Sequence, residues 1–155
     1  MWLLERFNVR VLHEVDAHNL AALHSRLAMP EQWDTIIWNF PYPIAIDCYG
    51  RPCVRFGASQ GSALMRGFFV SLKSQAARVS PQAELHLTLS ESHIAGSPGC
   101  WGVEKLAHEF GFKLIQRVPF SVVARAYPEY SPRREHKDES FPRTGAQTLV
   151  FRRRW

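Results

Sequence analysis

The sequence predicts an α/β fold in a single domain spanning 1–155, on three observations. Short runs rich in β-branched and aromatic residues alternate with runs of helical apolar spacing, in the order strand, helix, strand, helix, strand, helix, strand, then a long excursion and a last strand. Such alternation implies parallel strands joined by right-handed helical crossovers. The chain has 155 residues, within the roughly 100 to 200 that one core supports. With 46% hydrophobic and 21% charged residues, wholesale disorder and collagen-like or coiled-coil readings are excluded.

Val9 to Val15 (VRVLHEV) is short, β-branched and bounded by turn formers, so it reads as the first strand. Leu20, Leu23 and Leu27 then recur at helical spacing up to Pro30. Trp33 to Phe40 (WDTIIWNF) reads as the second strand, its nearly continuous apolar centre suggesting cover on both faces, and Pro41 and Pro43 end it. Residues 44–60 hold Gly50, Pro52 and Gly57 without a period and read as a loop. From Ser62 to Val79 the set Leu64, Met65, Phe68, Phe69, Leu72, Ala76 and Val79 predicts an amphipathic helix stopped at Ser80-Pro81. Glu84 to Leu89 is the third strand. After the turn at Gly96 to Gly99, Val103, Leu106, Ala107 and Phe110 line a helical face that Gly111 stops in a left-handed conformation. Phe112 to Val118 and Gln147 to Arg152 complete the strands, with a polar excursion over about 125–147 between them.

The formal charge of +5 is unevenly placed. Residues 1–124 hold 11 Lys+Arg against 10 Asp+Glu, whereas 125–155 hold 8 against 4, so the last fifth carries +4. A basic segment interleaved with Tyr127, Tyr130, Phe141, Phe151 and Trp155 suits a phosphate backbone; a solvated surface segment is the alternative. Arg133, Arg134, Lys137, Arg152, Arg153 and Arg154 are the candidate RNA-binding residues. No apolar run approaches the roughly 20 residues of a membrane span, and MWLLERFNVR has neither a basic leader nor a small-residue cleavage site. A soluble chain without a secretory signal or membrane partner is expected. Cys48, Cys53 and Cys100 form no even framework and no paired zinc spacing, so no metal is expected and a reducing compartment is the simpler inference. Serine-hydrolase, P-loop and zincin motifs are absent. His13, His86 and His108 lack ligand spacing and read as packing or surface residues, while Trp38, Trp101, Phe68 and Phe69 read as core.

In parallel sheets ligands bind beyond the carboxyl ends of the strands, which directs attention to Asp16, to Asn39-Phe40-Pro41 and to Thr88-Leu89-Ser90. An Asn amide offers one acceptor and two donors for the edge of a planar nitrogenous group, Phe a stacking face and Pro a stiff loop. This is the kind of strand end found where a base or amine is methylated. Taken alone, the tripeptide also fits a strand ended by a proline turn.

The string V-L-H-x-V-D-A, W-D-x-I-I-W-N-F-P, F-F-x-S, E-L-H-L-T-L, W-G-x-x-x-L-A-x-E-x-G-F-x-L, V-P-F, Y-P-x-Y-x-x-R-R and T-L-V-F-R resembles, in matching order from about Val9 to Arg152, the Rossmann-like domain of the 25S rRNA uridine-N3 methyltransferase family. The resemblance implies a three-layer class I methyltransferase fold, S-adenosylmethionine as cofactor and ribosomal RNA or a ribosomal particle as partner. It implies that Asp16 faces the adenine end of the cofactor, that Asn39, Phe40 and Pro41 hold the target uracil as the catalytic residues, and that the Arg133-Arg134 stretch lies on the substrate side. No residue is identified as the base that takes the N3 proton.

The family opens with a strand and a G-E-G-x-F-S-F turn, then a second strand ending in an acidic residue; neither occurs in this chain. Against the family's sheet order 3-2-1-4-5-7-6, the expectation is an N-terminally truncated fold with strands 1 and 2 missing. Another protein chain would then complete or cover the sheet edge. The alternative is a catalytically inactive relic serving as a structural or assembly component of a ribosomal particle, mitochondrial particles included. An intracellular location follows, in nucleolus and cytoplasm or in the mitochondrion.

Overall fold

A computed structural model describes residues 15–25, 32–41, 45–46, 52–53, 58–94, 96–97, 99–126 and 144–154. In chain order these form a 3-10 turn (Leu20–Ser25), β1 (Trp33–Asn39), β2 (Ala45–Ile46), β3 (Pro52–Cys53), α1 (Ala58–Ser74), β4 (Val79–Leu89), α2 (Val103–Glu109), β5 (Phe112–Pro119), α3 (Phe120–Ala126) and β6 (Gln147–Arg153). The first predicted strand lies outside the described residues except for Val15, which belongs to no strand. The predicted 44–60 loop contains the two-stranded antiparallel ribbon β2-β3, and α1 begins at Ala58, four residues before the expected start.

The main sheet has the order β1-β4-β6-β5. β1 runs parallel to β4, while β6 is antiparallel to both β4 and β5. β1, β4 and β5 therefore share a direction and β6 alone is reversed, so the expectation of parallel strands fails for the last one. The cause is local. The chain leaves β5 at the sheet's carboxyl end, and the Phe120 N–H donates to the Ala146 carbonyl at 2.8 Å. The excursion thus returns where it left, and β6 must run back down the sheet. The resulting order is that of strands 4-5-7-6 in the expected fold.

Alternation along the strands separates two faces. Leu85, Leu87 and Leu89 of β4, Leu149 and Phe151 of β6, and Phe112 of β5 join one core with Met65, Phe68, Phe69 and Leu72 of α1 and Val103, Leu106 and Ala107 of α2. Burying each such side chain is worth about 1.5 to 3 kcal/mol, so this layer holds the fold. Phe69 stacks on Phe110 at 5.9 Å and leans on Phe112 at 6.0 Å, and Phe68 meets Trp38 at 4.8 Å. Trp101, 1% exposed, lies so close to α1 that a Cβ on Gly61 would collide with its ring. Gly111 adopts φ 83°, the left-handed stop that its position after α2 predicts. The opposite face bears Glu84, His86 and Arg152, and Ile37 there is 63% exposed. The apolar run of β1 predicts cover on both faces; the structure instead leaves its Thr35 and Ile37 exposed, because the described helices α1 and α2 occupy the other side.

Candidate functional site

Asn39, Phe40 and Pro41 form a corner at the carboxyl end of β1. Register places Asn39 beside Thr88, and the Phe40 N–H donates to the Thr88 carbonyl at 2.8 Å, extending the ladder one residue past the strand. Phe40 then turns with φ 51°, alone among the described non-glycine residues in having positive φ. For a bulky side chain this costs about 1 to 2 kcal/mol and persists only where surrounding contacts enforce it. Pro41 is buried and stiffens the exit. The Phe40 ring meets Phe120 edge to face at 5.1 Å and 81°, joining the corner after β1 to the corner after β5.

Behind the corner runs a row of neutral polar groups. Thr88 Oγ1 donates to Asn39 Oδ1 at 2.7 Å and lies 2.9 Å from Thr148 Oγ1 on β6. Both threonines are buried. Beyond β4, Ser90 Oγ is 2.7 Å from His93 Nδ1, and the His93 ring stacks on Trp101 at 4.2 Å. Burial holds the imidazole below its ordinary pKa, so at neutral pH it is uncharged. A cavity of about 200 Å³ lined by His93, Cys100, Gly102, Glu104, Lys105 and Leu149 opens on the helix-covered side. The Asn39 amide, bonded to Thr88, belongs to the other face, so cavity and corner are separate features.

Asp16 is exposed and caps its own turn, accepting the His18 N–H at 2.8 Å. His18 Nε2 reaches the Leu64 carbonyl at 2.9 Å, and the Leu20 N–H donates to Ser71 Oγ at 2.8 Å. Since Phe68 holds Trp38, the Asp16 turn and the end of β1 rest on the same stretch of α1. Arg152, Arg153 and Arg154 sit at the other end of the sheet. Arg152 faces Glu84, with Nη2 2.7 Å from Oε1, and this bond, then that of His86 at 3.1 Å, holds the Glu84 carboxyl below its ordinary pKa. The Arg154 N–H closes onto the Gly111 carbonyl at 2.9 Å. Arg133, Arg134 and Lys137 lie outside the described residues. The segment that carries them departs from α3 and returns at Thr144–Ala146, beside Phe120. Among the described residues no group of three or more His, Cys, Asp or Glu is placed to hold a metal, and no helix is long and apolar enough to cross a membrane.

Comparison with known families decides the relationship. The family model described as BMT5-like, rRNA (uridine-N3-)-methyltransferase BTM5-like, matches residues 1–134. The chain belongs to the BMT5-like family. It is an rRNA methyltransferase-like domain. Among solved structures it is similar to the 16S rRNA methyltransferase KamB, at 12% identity and a TM-score of 0.45, over 91% of this chain and 61% of that one. It is also similar to a candidate DNA modification methylase of Thermus thermophilus, at 12% identity and a TM-score of 0.46, over 90% of this chain and 50% of that one. The BMT5-like chain thus spans 61% and 50% of the lengths of these structures. Among curated proteins none matches it.

S-adenosylmethionine, which the family implies, fits the described residues only in part. Asp16 keeps a carboxylate oxygen outside its own turn and could accept from hydroxyls. A glycine cradle is another matter: the space beside Gly67, which lies against that turn, is filled by the His18 ring, 2.8 Å from a Cβ placed there, and the space beside Gly61 is filled by Trp101. The described residues do not make the cradle. Thr148 and His93 carry no sequence signal that marks them as site residues. Thr88 is legible as a strand end but without a role, since its partner Asn39 is 49 positions away.

Proposed function

We propose that this chain is the base-holding part of an S-adenosylmethionine-dependent rRNA (uridine-N3) methyltransferase-type domain, with Asn39, Phe40 and Pro41 around the target uracil. The observation that carries the reading is the Asn39-Phe40-Pro41 corner, strained at Phe40 and bonded to Thr88, at the carboxyl end of a sheet ordered as in the expected fold. The chain's own residues bind and orient. The amide meets the polar edge of the base, the Phe40 ring offers a face for stacking, and positioning of this kind is a large part of what a transfer reaction needs.

RNA phosphates would be held by Arg133, Arg134 and Lys137, on a segment rooted beside the corner, and by Arg152, Arg153 and Arg154 at the far end of β6. We further propose that residues 1–155 act as one domain and that another protein chain supplies what lies beyond β1, whose outer edge has no strand partner among the described residues. Asp16 would serve the adenine end of the cofactor. The work is placed inside the cell where ribosomal RNA is handled, in nucleolus and cytoplasm or in the mitochondrion. That the described residues make no cradle favours a second reading, an inactive structural or assembly component of a ribosomal particle.

The test is methyl transfer. The full chain, alone and with a co-expressed chain carrying a G-E-G-x-F-S-F turn, is incubated with S-adenosyl-L-[methyl-³H]methionine and ribosomal RNA, and nucleosides are resolved by mass spectrometry. The enzyme reading expects label in N3-methyluridine that disappears in Asn39→Ala. RNA binding without label under either condition would support the structural reading instead.

A further inference from the structure

The row behind the corner ends on the Asn39 amide, whose Oδ1 faces Thr88. A threonine hydroxyl has one proton. Thr88 gives it to Asn39 Oδ1, 2.7 Å away, so in the 2.9 Å contact with Thr148 it is Thr148 that donates and Thr88 that accepts. The two threonines are buried on facing positions of β4 and β6, where neither can rotate toward water. Asn39 Oδ1 therefore faces Thr88, while its Nδ2 has no hydrogen-bond partner among the described residues. A half-buried amide at a strand end thus turns its two donors outward and its acceptor inward, toward Thr88.

We propose that Thr88, backed by Thr148, is a positioning residue that sets the chemical preference of the corner, turning Asn39 so that it accepts a base with a carbonyl oxygen, as in an imide, and disfavours one with an exocyclic amine. The inference rests on the reading of the corner as a base site and names its specificity. A carbonyl at the base edge completes the Nδ2 hydrogen bond. An amine there puts donor against donor, and unmatched polar groups at a recognition edge discriminate by about five- to tenfold or more. The reverse arrangement, with Nδ2 donating to Thr88 and Thr88 to Thr148, would turn an acceptor outward and invert the preference.

The experiment is a titration of the ¹⁵N-labelled full chain with uridine 5′-monophosphate and with cytidine 5′-monophosphate at equal ionic strength, read at the Asn39 side-chain amide by NMR. Uridine monophosphate is expected to shift that resonance and to bind about five- to tenfold more tightly than cytidine monophosphate. Thr88→Val should bring the two affinities together and Thr88→Ser should restore the difference. Should Thr88→Val not fold, Thr148→Val replaces it, with a reduced preference expected. A preference for cytidine monophosphate, a preference that survives loss of the Thr88 hydroxyl, or an Asn39 resonance that neither nucleotide moves would each overturn the proposal. No methyl transfer with the uridine preference intact would defeat the enzyme reading and leave this one standing. Methyl transfer with no preference at Asn39 would do the opposite.

Discussion

Thr88 and Thr148 face each other at the carboxyl end of β4 and β6, buried and neutral, whereas Glu84 and Arg152, the facing pair four residues down the same strands, are charged, with side chains 30% and 50% exposed. About 13 Å of strand separates the two pairs. The same cross-strand geometry therefore carries two chemistries. In the dry pair each hydroxyl has a defined direction, which suits discrimination between base edges; in the wet pair water and salt screen the charges, which suits sequence-independent contact with phosphate.

The largest expected effect comes from removing the wall of the carboxyl end. Trp101→Ala empties the site between Gly61 and His93 and should cost about 3 to 5 kcal/mol in urea denaturation; a cost below about 1 kcal/mol would mean that Trp101 does not organise this end. Next, Thr88→Val should cost about 1 to 2 kcal/mol, the loss of a buried hydrogen bond. In a double-mutant cycle with Thr148→Val the two costs should fail to add. Additive costs would break the row into independent parts.

The pH dependence separates the two ends. His93 has a lowered pKa, so its neutral form is favoured by folding, and the stability this provides is present above about pH 6.5 and lost as pH falls through the lower folded value. Glu84 also has a lowered pKa, from its bonds to Arg152 and His86, but from an ordinary value of 4.5. Its contribution is present above that value and disappears only as pH falls below it. Stability curves should thus flatten near pH 6 in His93→Gln and only below about pH 4.5 in Glu84→Gln. At neutral pH Glu84→Gln should cost less than about 1 kcal/mol, as for exposed pairs. The smallest effects belong to the arginines. Arg153→Ala or Arg154→Ala should each lower the slope of log affinity for ribosomal RNA against log salt by about one at most, and an unchanged slope would remove that residue from the phosphate contacts.

Much of this layout is legible in the sequence. The periodicity of Met65, Phe68, Phe69 and Leu72 gives the buried face of α1, and Gly111 gives the stop after α2, because local spacing and backbone freedom determine both. β4 begins at Val79 rather than Glu84, hidden by Pro81, which has no N–H; there the register with β1 shifts between Trp33 and Thr35, letting the strand pass through a residue that cannot donate. The reversal of β6 and the Thr88 row escape local reading altogether. Both depend on pairings across 49 to 68 positions, which no window of neighbouring residues contains. The apolar run of β1 misleads for a related reason, since period alone does not tell whether a second layer covers a strand.

The central claim is that recognition of the RNA base occurs at the carboxyl end, around Asn39, and not at the arginine end. Backbone and side-chain amide shifts of the full chain on adding an oligouridine test this directly. The account predicts the largest changes at Asn39, Phe40, Thr88 and Ser90, with weaker, salt-sensitive changes at Arg152, Arg153 and Arg154. Changes confined to the arginine end, with Asn39 and Phe40 unmoved, would contradict it.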